Sequence, residues 1–384
     1  WLAVGASVAA MLGLGVALAP GRNVFARTKD NDSRRTVAVL PFASVGEDAQ
    51  YYAEGLTDEL IETLGHTAGL RSVARSSVFQ FKGKTGDART IAKELSADYL
   101  LEGSVRRSGQ QVHVMAQLID ASNGLQVWSN ALDRDGTEVF GIRSEIASAI
   151  AGRLNTKAPA VPKQTTDLES YNWYLKGRYL WNRRTDVSIH SAIEAFQHAI
   201  DRDPSYALAW SGMADAYCML GFMNASPPKE ARDRGVEAVK RALTLDPNLA
   251  EAHVAQGNLS GIYDWNWDKA QRSFQRALEL NPNSAEAHYS YSKALATIGK
   301  IDEAIPEMQK AISLDPLAMI MQISLSWELS VAGRKQESDA VYAAAEKLDP
   351  NFQWLSILHS WKLEGEGQPA EAVKLLEAAV AKND

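Results

Sequence analysis

The chain has 384 residues, enough for two or three domains. Apolar residues make up 46% and charged residues 23%, the balance of an ordinary folded protein, and a formal net charge of −7 argues against a general nucleic-acid binder, which needs a basic face to neutralise phosphates. A single cysteine, Cys218, can close no internal disulfide, and the seven histidines show neither HExxH spacing nor cysteine partners, so no metal site and no cofactor is expected.

The first element is WLAVGASVAAMLGLGVALAP, Trp1–Pro20, which carries no charge. Nineteen residues before the proline, at about 1.5 Å each, reach about 28 Å as a helix, close to the thickness of a bilayer core. A transmembrane helix over residues 1–20 is therefore expected, with a cleaved signal peptide as the alternative. The segment after it holds Arg22, Arg27, Lys29, Arg34 and Arg35, which by itself favours a cytoplasmic carboxyl side. Because the chain starts at Trp1 and not at Met, it reads as a fragment whose front end is unseen.

From Thr36 the pattern becomes mixed. TVAVLPF (36–42) reads as a buried strand ended by Pro41. In 48–67, Tyr52, Leu56, Leu60, Ile61 and Leu64 recur at three and four, the spacing of an amphipathic helix. A second strand (70–76), a second helix (87–97), three strands with turn signals at Ser108-Gly109 and Asn123-Gly124, and a closing helix (137–154) complete the order β-α-β-α-β-β-β-α. This predicts a small α/β domain with a mixed sheet over 36–155, followed by a proline-bearing linker at 156–167.

Beyond the linker a dipeptide recurs: Asp203-Pro204, Asp246-Pro247, Asn281-Pro282, Asp315-Pro316 and Asp349-Pro350, at spacings of 43, 35, 34 and 34. Each follows an apolar helical run, and proline cannot continue a helix. Small residues on the second helix of each hairpin (Ala270, Ala304 and Ala372, then Ala277, Ala311, Ala345 and Ala379) let paired helices close on each other. Phe196, Phe274, Met308 and Tyr342 occupy matching positions. The pattern resembles the tetratricopeptide repeat and implies an all-α superhelix of about six helical hairpins over 168–384. The long first spacing, with NASPPKE, predicts a longer inter-helix turn; Pro306 falls early in a helix; Gly333 suits a turn.

The motifs AVLPF, EGLTDEL, YLLEGSVRR, AQLIDA and GLQVWS, in this order, are similar to the TolB amino-terminal-like domain of bacterial envelope-anchored signalling proteins. That resemblance implies a single-pass inner-membrane protein with residues 21–384 periplasmic, against the charge reading. It also implies an effector ahead of the anchor: a winged-helix DNA-binding domain as in CadC-like regulators or, in other members, a class III adenylate cyclase or serine/threonine kinase domain. An envelope scaffold without an effector is the further alternative, and a homo-oligomer is compatible with any of these.

No catalytic constellation stands out, so this region is read as non-enzymatic. Glu54, Asp58 and Glu59 sit at helical spacing and read as a solvated face; FKGKTGD (81–87) lacks phosphate-loop spacing; Arg106 and Arg107 flank a hairpin. WNRR (181–184), DWNWDK (264–269), His253 and His288 read as packing within the repeats. The position of each repeat expected to face the concave groove is held by Asp215, Asn258, Lys293, Trp327 and Trp361, a ladder from polar to aromatic that suits a protein or peptide partner. No nucleic-acid partner is expected in this region.

Overall fold

The computed structural model describes residues 34–380 apart from 47–48, 85, 110, 158–164, 224, 351 and 353–354. The amino-terminal part contains β1 (Arg35–Val39), β2 (Ala43–Val45), α1 (Ala49–Gly65), β3 (Leu70–Ser72), α2 (Arg75–Val78), α3 (Ala88–Glu94), β4 (Tyr99–Ser108), β5 (Gln111–Asp120), β6 (Leu125–Arg134) and α4 (Gly141–Arg153). The order read from the sequence is present with two additions. β2 forms after Pro41, and the second strand stops at Ser72, its expected tail turning into α2.

The sheet runs β3-β1-β4-β5-β6, and β2 pairs with β4 beyond the stretch that β1 occupies. β1 lies parallel to β3 and β4, whereas β4, β5 and β6 form an antiparallel meander. Val112, Val114, Ala116 and Leu118 of β5 alternate onto one face, where they join Leu56, Leu60 and Leu64 of α1 and Ile142, Ile146 and Ile150 of α4. On the other face Leu100 and Ile119 pack with Ile91, Ala92 and Leu95 of α3.

Among the described residues twelve helices follow as six hairpins: α5 (Leu168–Trp181) with α6 (Asp186–Arg202), α7 (Ala207–Phe222) with α8 (Pro228–Leu245), α9 (Ala250–Ile262) with α10 (Trp267–Leu280), α11 (Ala285–Thr297) with α12 (Ile301–Leu314), α13 (Met319–Val331) with α14 (Lys335–Leu348), and α15 (Leu355–Gly365) with α16 (Pro369–Val380). The proline stops work as the spacing implied. At Asp203, Asp246, Asn281, Asp315 and Asp349 the backbone N–H still closes a helical turn onto the carbonyl of Ala199, Ala242, Ala277, Ala311 and Ala345. The following proline cannot, and the stop residue itself is extended at Asp203, Asp246 and Asp349. Gly299, Gly333 and Gly367 take φ of +79°, +75° and +76° at successive inter-helix turns, a conformation that only glycine adopts without strain. Of NASPPKE, Ala225–Pro227 lie between α7 and α8 and Pro228–Glu230 open α8, as expected of a lengthened turn, and Pro306 lies inside α12.

One expectation is corrected. The supported fold class is a small mixed-sheet domain followed by an all-helical superhelix, with no membrane-spanning helix among the described residues. A span needs about 20 predominantly apolar residues, and among the described residues no helix is long and apolar enough to cross a membrane. The longest of them, α8, has 18 residues and carries Lys229, Glu230, Arg232, Asp233 and Arg234. Trp1–Pro20 lies outside the described residues. The placement as a single-pass inner-membrane protein with a periplasmic body, and the membrane contact through residues 1–20, are withdrawn with that helix.

The two parts share one core. α1 carries Gly55 in mid-helix, where glycine costs about 1 kcal/mol relative to alanine. A Cβ there would lie 2.7, 3.1 and 3.2 Å from three carbons of Leu175 on α5, so the glycine is what lets these helices approach. Overpacking at such a contact costs about 1–3 kcal/mol, which outweighs the propensity gain. Gly55→Ala is therefore expected to lower the urea midpoint, although the same change raises stability on a helix without a neighbour. A raised midpoint would mean that α5 does not sit on α1.

Candidate functional site

The polar residues of α1 converge on the junction between sheet domain and repeats. Glu54, Asp58 and Glu59 are only 6%, 7% and 3% exposed, which corrects their reading as a solvated helix face. Each has a specific partner, as buried charge requires. Arg75 of α2 donates to Glu54 Oε2 at 2.9 Å and to Asp58 Oδ1, and its guanidinium stacks on Phe79. Lys82 adds a 2.6 Å bond to Glu54 Oε1. Burial pushes the Glu54 carboxyl up, but the bonds from Lys82 and Arg75 outweigh it and hold its pKa below the usual range. Asp58 accepts from Asn182 at the end of α5 at 3.1 Å, and burial holds its pKa up. One residue on, the Tyr171 hydroxyl donates to Glu59 Oε2 at 2.5 Å while Arg143 of α4 lies 3.6 Å from Oε1. Residues of α1, α4 and α5 thus meet on one carboxylate.

The repeats beyond α5 reach back to the same domain. Asn283, in the turn before α11, donates to the carbonyl of Gly65 at 2.6 Å and accepts from Arg34 at 2.9 Å. The turn before α13 is altered by its contact. At Asp203, Asp246 and Asn281 the side chain accepts the N–H two residues on, at 2.9, 2.9 and 3.1 Å. At Asp315 the Ser77 hydroxyl is inserted: it donates to Asp315 Oδ1 at 2.5 Å and accepts the Leu317 N–H at 2.8 Å. Ser76 also donates to Asp315, Gln80 to the Leu317 carbonyl, and the Ala74 N–H to the Leu314 carbonyl at 2.8 Å.

The five ladder residues fall one per first helix: Asp215 on α7, Asn258 on α9, Lys293 on α11, Trp327 on α13 and Trp361 on α15. Asp215 lies among Arg178, Arg184, Glu251 and Glu286; burial first, then the nearby glutamates, push its pKa up to about 7, against the pull of Arg178 and Arg184. Glu62, 3.7 Å from Arg178, is raised to about 8 by burial and by Glu251. Lys293 Nζ stands 5.0 Å from the Trp327 ring centroid, and burial lowers its pKa. Glu328 beside them accepts from Ser292 at 2.9 Å and is raised by burial to about 7. Trp361 is 46% exposed.

The remaining sequence candidates resolve locally. Arg107 donates to the Tyr51 hydroxyl, with its guanidinium near the Tyr51 and Tyr52 rings, and Arg106 is exposed. In FKGKTGD, Lys82 serves Glu54. Trp181 of WNRR lies between Arg178 and Arg184, whose guanidinium carbons are 5.1 and 3.6 Å from its ring. In DWNWDK, Trp265 is exposed and meets Trp267 edge-on. His253 and His288 face the carbonyls of Pro247 and Pro282 at 2.9 and 3.2 Å. Trp210 and Gln322 do the same for Pro204 and Pro316, at 3.0 and 2.6 Å. Four side chains of three types, each six residues after the proline, thus satisfy the proline's carbonyl. That regularity escaped the sequence reading because three residue types perform it, and only the six-residue offset gives it away.

Comparisons with known proteins match separate stretches of the chain. Residues 33–149 match the family described as HilA/YgeH-like transcriptional regulator, second domain, rather than the TolB amino-terminal-like domain that the sequence motifs resemble. Residues 266–318 match a tetratricopeptide repeat family. Over 233 residues the chain is 28% identical to a protein of Rhizobium meliloti (strain 1021) named putative adenylate cyclase 3; the match takes in 58% of this chain and 39% of that protein. Among solved structures, a thermophilic TPR protein of Thermus thermophilus is 19% identical with a TM-score of 0.43, covering 50% of this chain and 98% of its own. YrrB, described as a TPR protein with an unusual peptide-binding site, is 21% identical with a TM-score of 0.36, covering 49% and 92%.

The raised carboxyls set a pH dependence. Asp215, Glu62 and Glu328 hold their protons in the folded chain up to about pH 7, 8 and 7, whereas an unfolded carboxyl releases its proton near about pH 4. Between those values the folded state binds more protons, so stability falls as pH rises. His359, lowered by burial, works the other way near its ordinary range, one group against three. The melting temperature is expected to decrease from about pH 5 to about pH 8, and Asp215→Asn to flatten that slope. Calorimetry across the range checks both.

Proposed function

We propose that this chain is the non-catalytic sensory and protein-interaction region of a signalling protein. In this reading, a protein or peptide partner docks along the first helices of the repeats, and the effector, a DNA-binding domain, is carried outside these residues. The observation that supports the docking reading is the ladder itself. Five residues at one repeat position, on α7, α9, α11, α13 and α15, end in Trp327 with its Lys293 ammonium and in the half-exposed Trp361. Tryptophan and a cation on adjoining helices supply large, rigid contact area and one charge, the chemistry of a binding hot spot. Tetratricopeptide repeats are protein-interaction modules, and the match of the sheet domain to a regulator's second domain supports a signalling context.

A second reading, the carboxyl-terminal region of an adenylate cyclase, is favoured by the name of the Rhizobium meliloti relative. The interaction role is the same in both; only the effector differs. Reading the coding sequence ahead of Trp1 separates them, by a winged-helix domain or a cyclase catalytic domain.

The docking surface is tested by selecting binders from a phage-displayed random peptide library on the whole chain. Trp327→Ala and Trp361→Ala are each expected to weaken the selected peptides about tenfold or more, with no change for Glu279→Ala on the exposed side of α10. Peptides that bind both tryptophan variants as tightly as the parent would contradict the reading.

A further inference from the structure

The sheet domain touches the superhelix at two places far apart in the chain, and the two contacts differ in kind. The near contact, on α5, is a packed core. Gly55 abuts Leu175, Tyr171 sits edge-on to Tyr52 and Phe140, and the Glu59 carboxylate is sealed among Tyr171 and Arg143. Tyr171 and Leu175 are 2% and 1% exposed. The far contact lies three and four hairpins on, at the turns before α11 and α13. It joins a set of hydrogen bonds (Asn283 to Gly65, Ser76 and Ser77 to Asp315, Gln80 to Leu317, and Ala74 to Leu314) to a small apolar contact, in which Leu317 packs against the cluster around α3 and Ala74 against that of the fourth and fifth hairpins. The inserted Ser77 hydroxyl replaces a bond that the turns at Asp203, Asp246 and Asn281 make for themselves, so the turn before α13 can close its own Asp315–Leu317 bond when the serine leaves. Between the contacts lie Asp215 of α7 and the first-turn Glu251 of α9, whose charge reaches Glu62 of α1.

We propose that the sheet domain is a strut across the repeat superhelix. It is fixed permanently on α5 and latched reversibly on the 281–284 and 315–318 turns, so that the latch sets the curvature of the repeats and its release opens the inner surface of α7, α9 and α11. The physical basis is the contrast in what release costs. Separating the near contact exposes apolar surface and strands a buried charge. Separating the far contact uncovers only the small apolar surface of Leu317 and Ala74 and otherwise exchanges protein hydrogen bonds for water, and one of those bonds re-forms within the turn. A stacked repeat array bends by small rotations at each hairpin interface, so a bridge between the first hairpin and the fourth and fifth restrains all the interfaces between. A partner that fills the groove therefore acts on the same equilibrium as the latch. Only this last step rests on the docking reading; the latch itself does not.

The test is the distance between spin labels at Glu94→Cys on α3 and Gln336→Cys on α14, both exposed and free of the contacts above. In the parent chain one narrow distribution is expected. In Ser77→Ala/Asn283→Ala it should broaden and shift to longer distance, with far-ultraviolet circular dichroism unchanged. An unshifted, equally narrow distribution with retained helicity overturns the proposal, because the repeats then hold their curvature without the latch. If that pair does not fold, Gln80→Ala, which removes an exposed side chain, is read in the same way. Loss of folding there too also overturns the proposal, since the far contact would then belong to the cooperative core. No partner is needed for the measurement, so its failure leaves the peptide-docking result untouched.

Discussion

Glu59 is a carboxylate 3% exposed to solvent, and the architecture around it follows from the need to satisfy that charge. An ionised carboxyl without partners in a low-dielectric interior costs several kcal/mol, so Glu59 holds α1, α4 and α5 in one arrangement through Tyr171 and Arg143. Hydrophobic burial supplies the bulk of the cohesion here: Leu56, Leu60, Leu64, Ile142, Ile146, Tyr171 and Leu175 belong to one continuous core. The carboxylate supplies direction. Apolar helices could slide or rotate on each other at small cost, whereas a buried charge with a hydroxyl and a guanidinium to meet fixes register.

This junction changes what the repeats can do. A free superhelix offers its whole inner surface. Here the first hairpin is committed to the sheet domain, and the acidic side of α1 faces Arg178 and the residues around Asp215. Charge around Arg178 is therefore shared between the two parts of the chain, and the carboxyls of Glu62, Asp215 and Glu328 keep their protons into the neutral range, chiefly because burial disfavours the ionised form. Towards the carboxyl end the ladder turns to aromatic side chains, and Trp361 remains substantially open. The sheet domain thus takes up the first hairpin and the turns before α11 and α13, while Trp361 on the last hairpin keeps surface to spare.

The repeats and the sheet elements were legible because each rests on a local rule. An Asp-Pro or Asn-Pro at a period near 34 stops a helix wherever the rest of the chain lies, and alternation in β5 marks a half-buried strand from its own residues. What was not legible is contact across long separations. Glu54, Asp58 and Glu59 look like a wet helix face because their partners lie elsewhere; Arg143, Tyr171 and Asn182 come from distant stretches of the chain. The glycine in mid-helix at Gly55 was the available signal: such a residue costs helix stability and needs a reason, and the reason is Leu175. The hydrophobic start of the chain, whose length and absence of charge suggested a membrane helix, lies outside the described residues, and among those described no helix is long and apolar enough to cross a membrane.

The central claim is that sheet domain and first hairpin form one cooperative unit around Glu59. Hydrogen exchange at increasing urea reads it most directly, by following the amides of β4 and β5 together with those of α5 and α6. Loss of protection in all four at the same urea concentration is the predicted result. A hairpin that opens while β4 and β5 stay protected, or the reverse, would contradict the account.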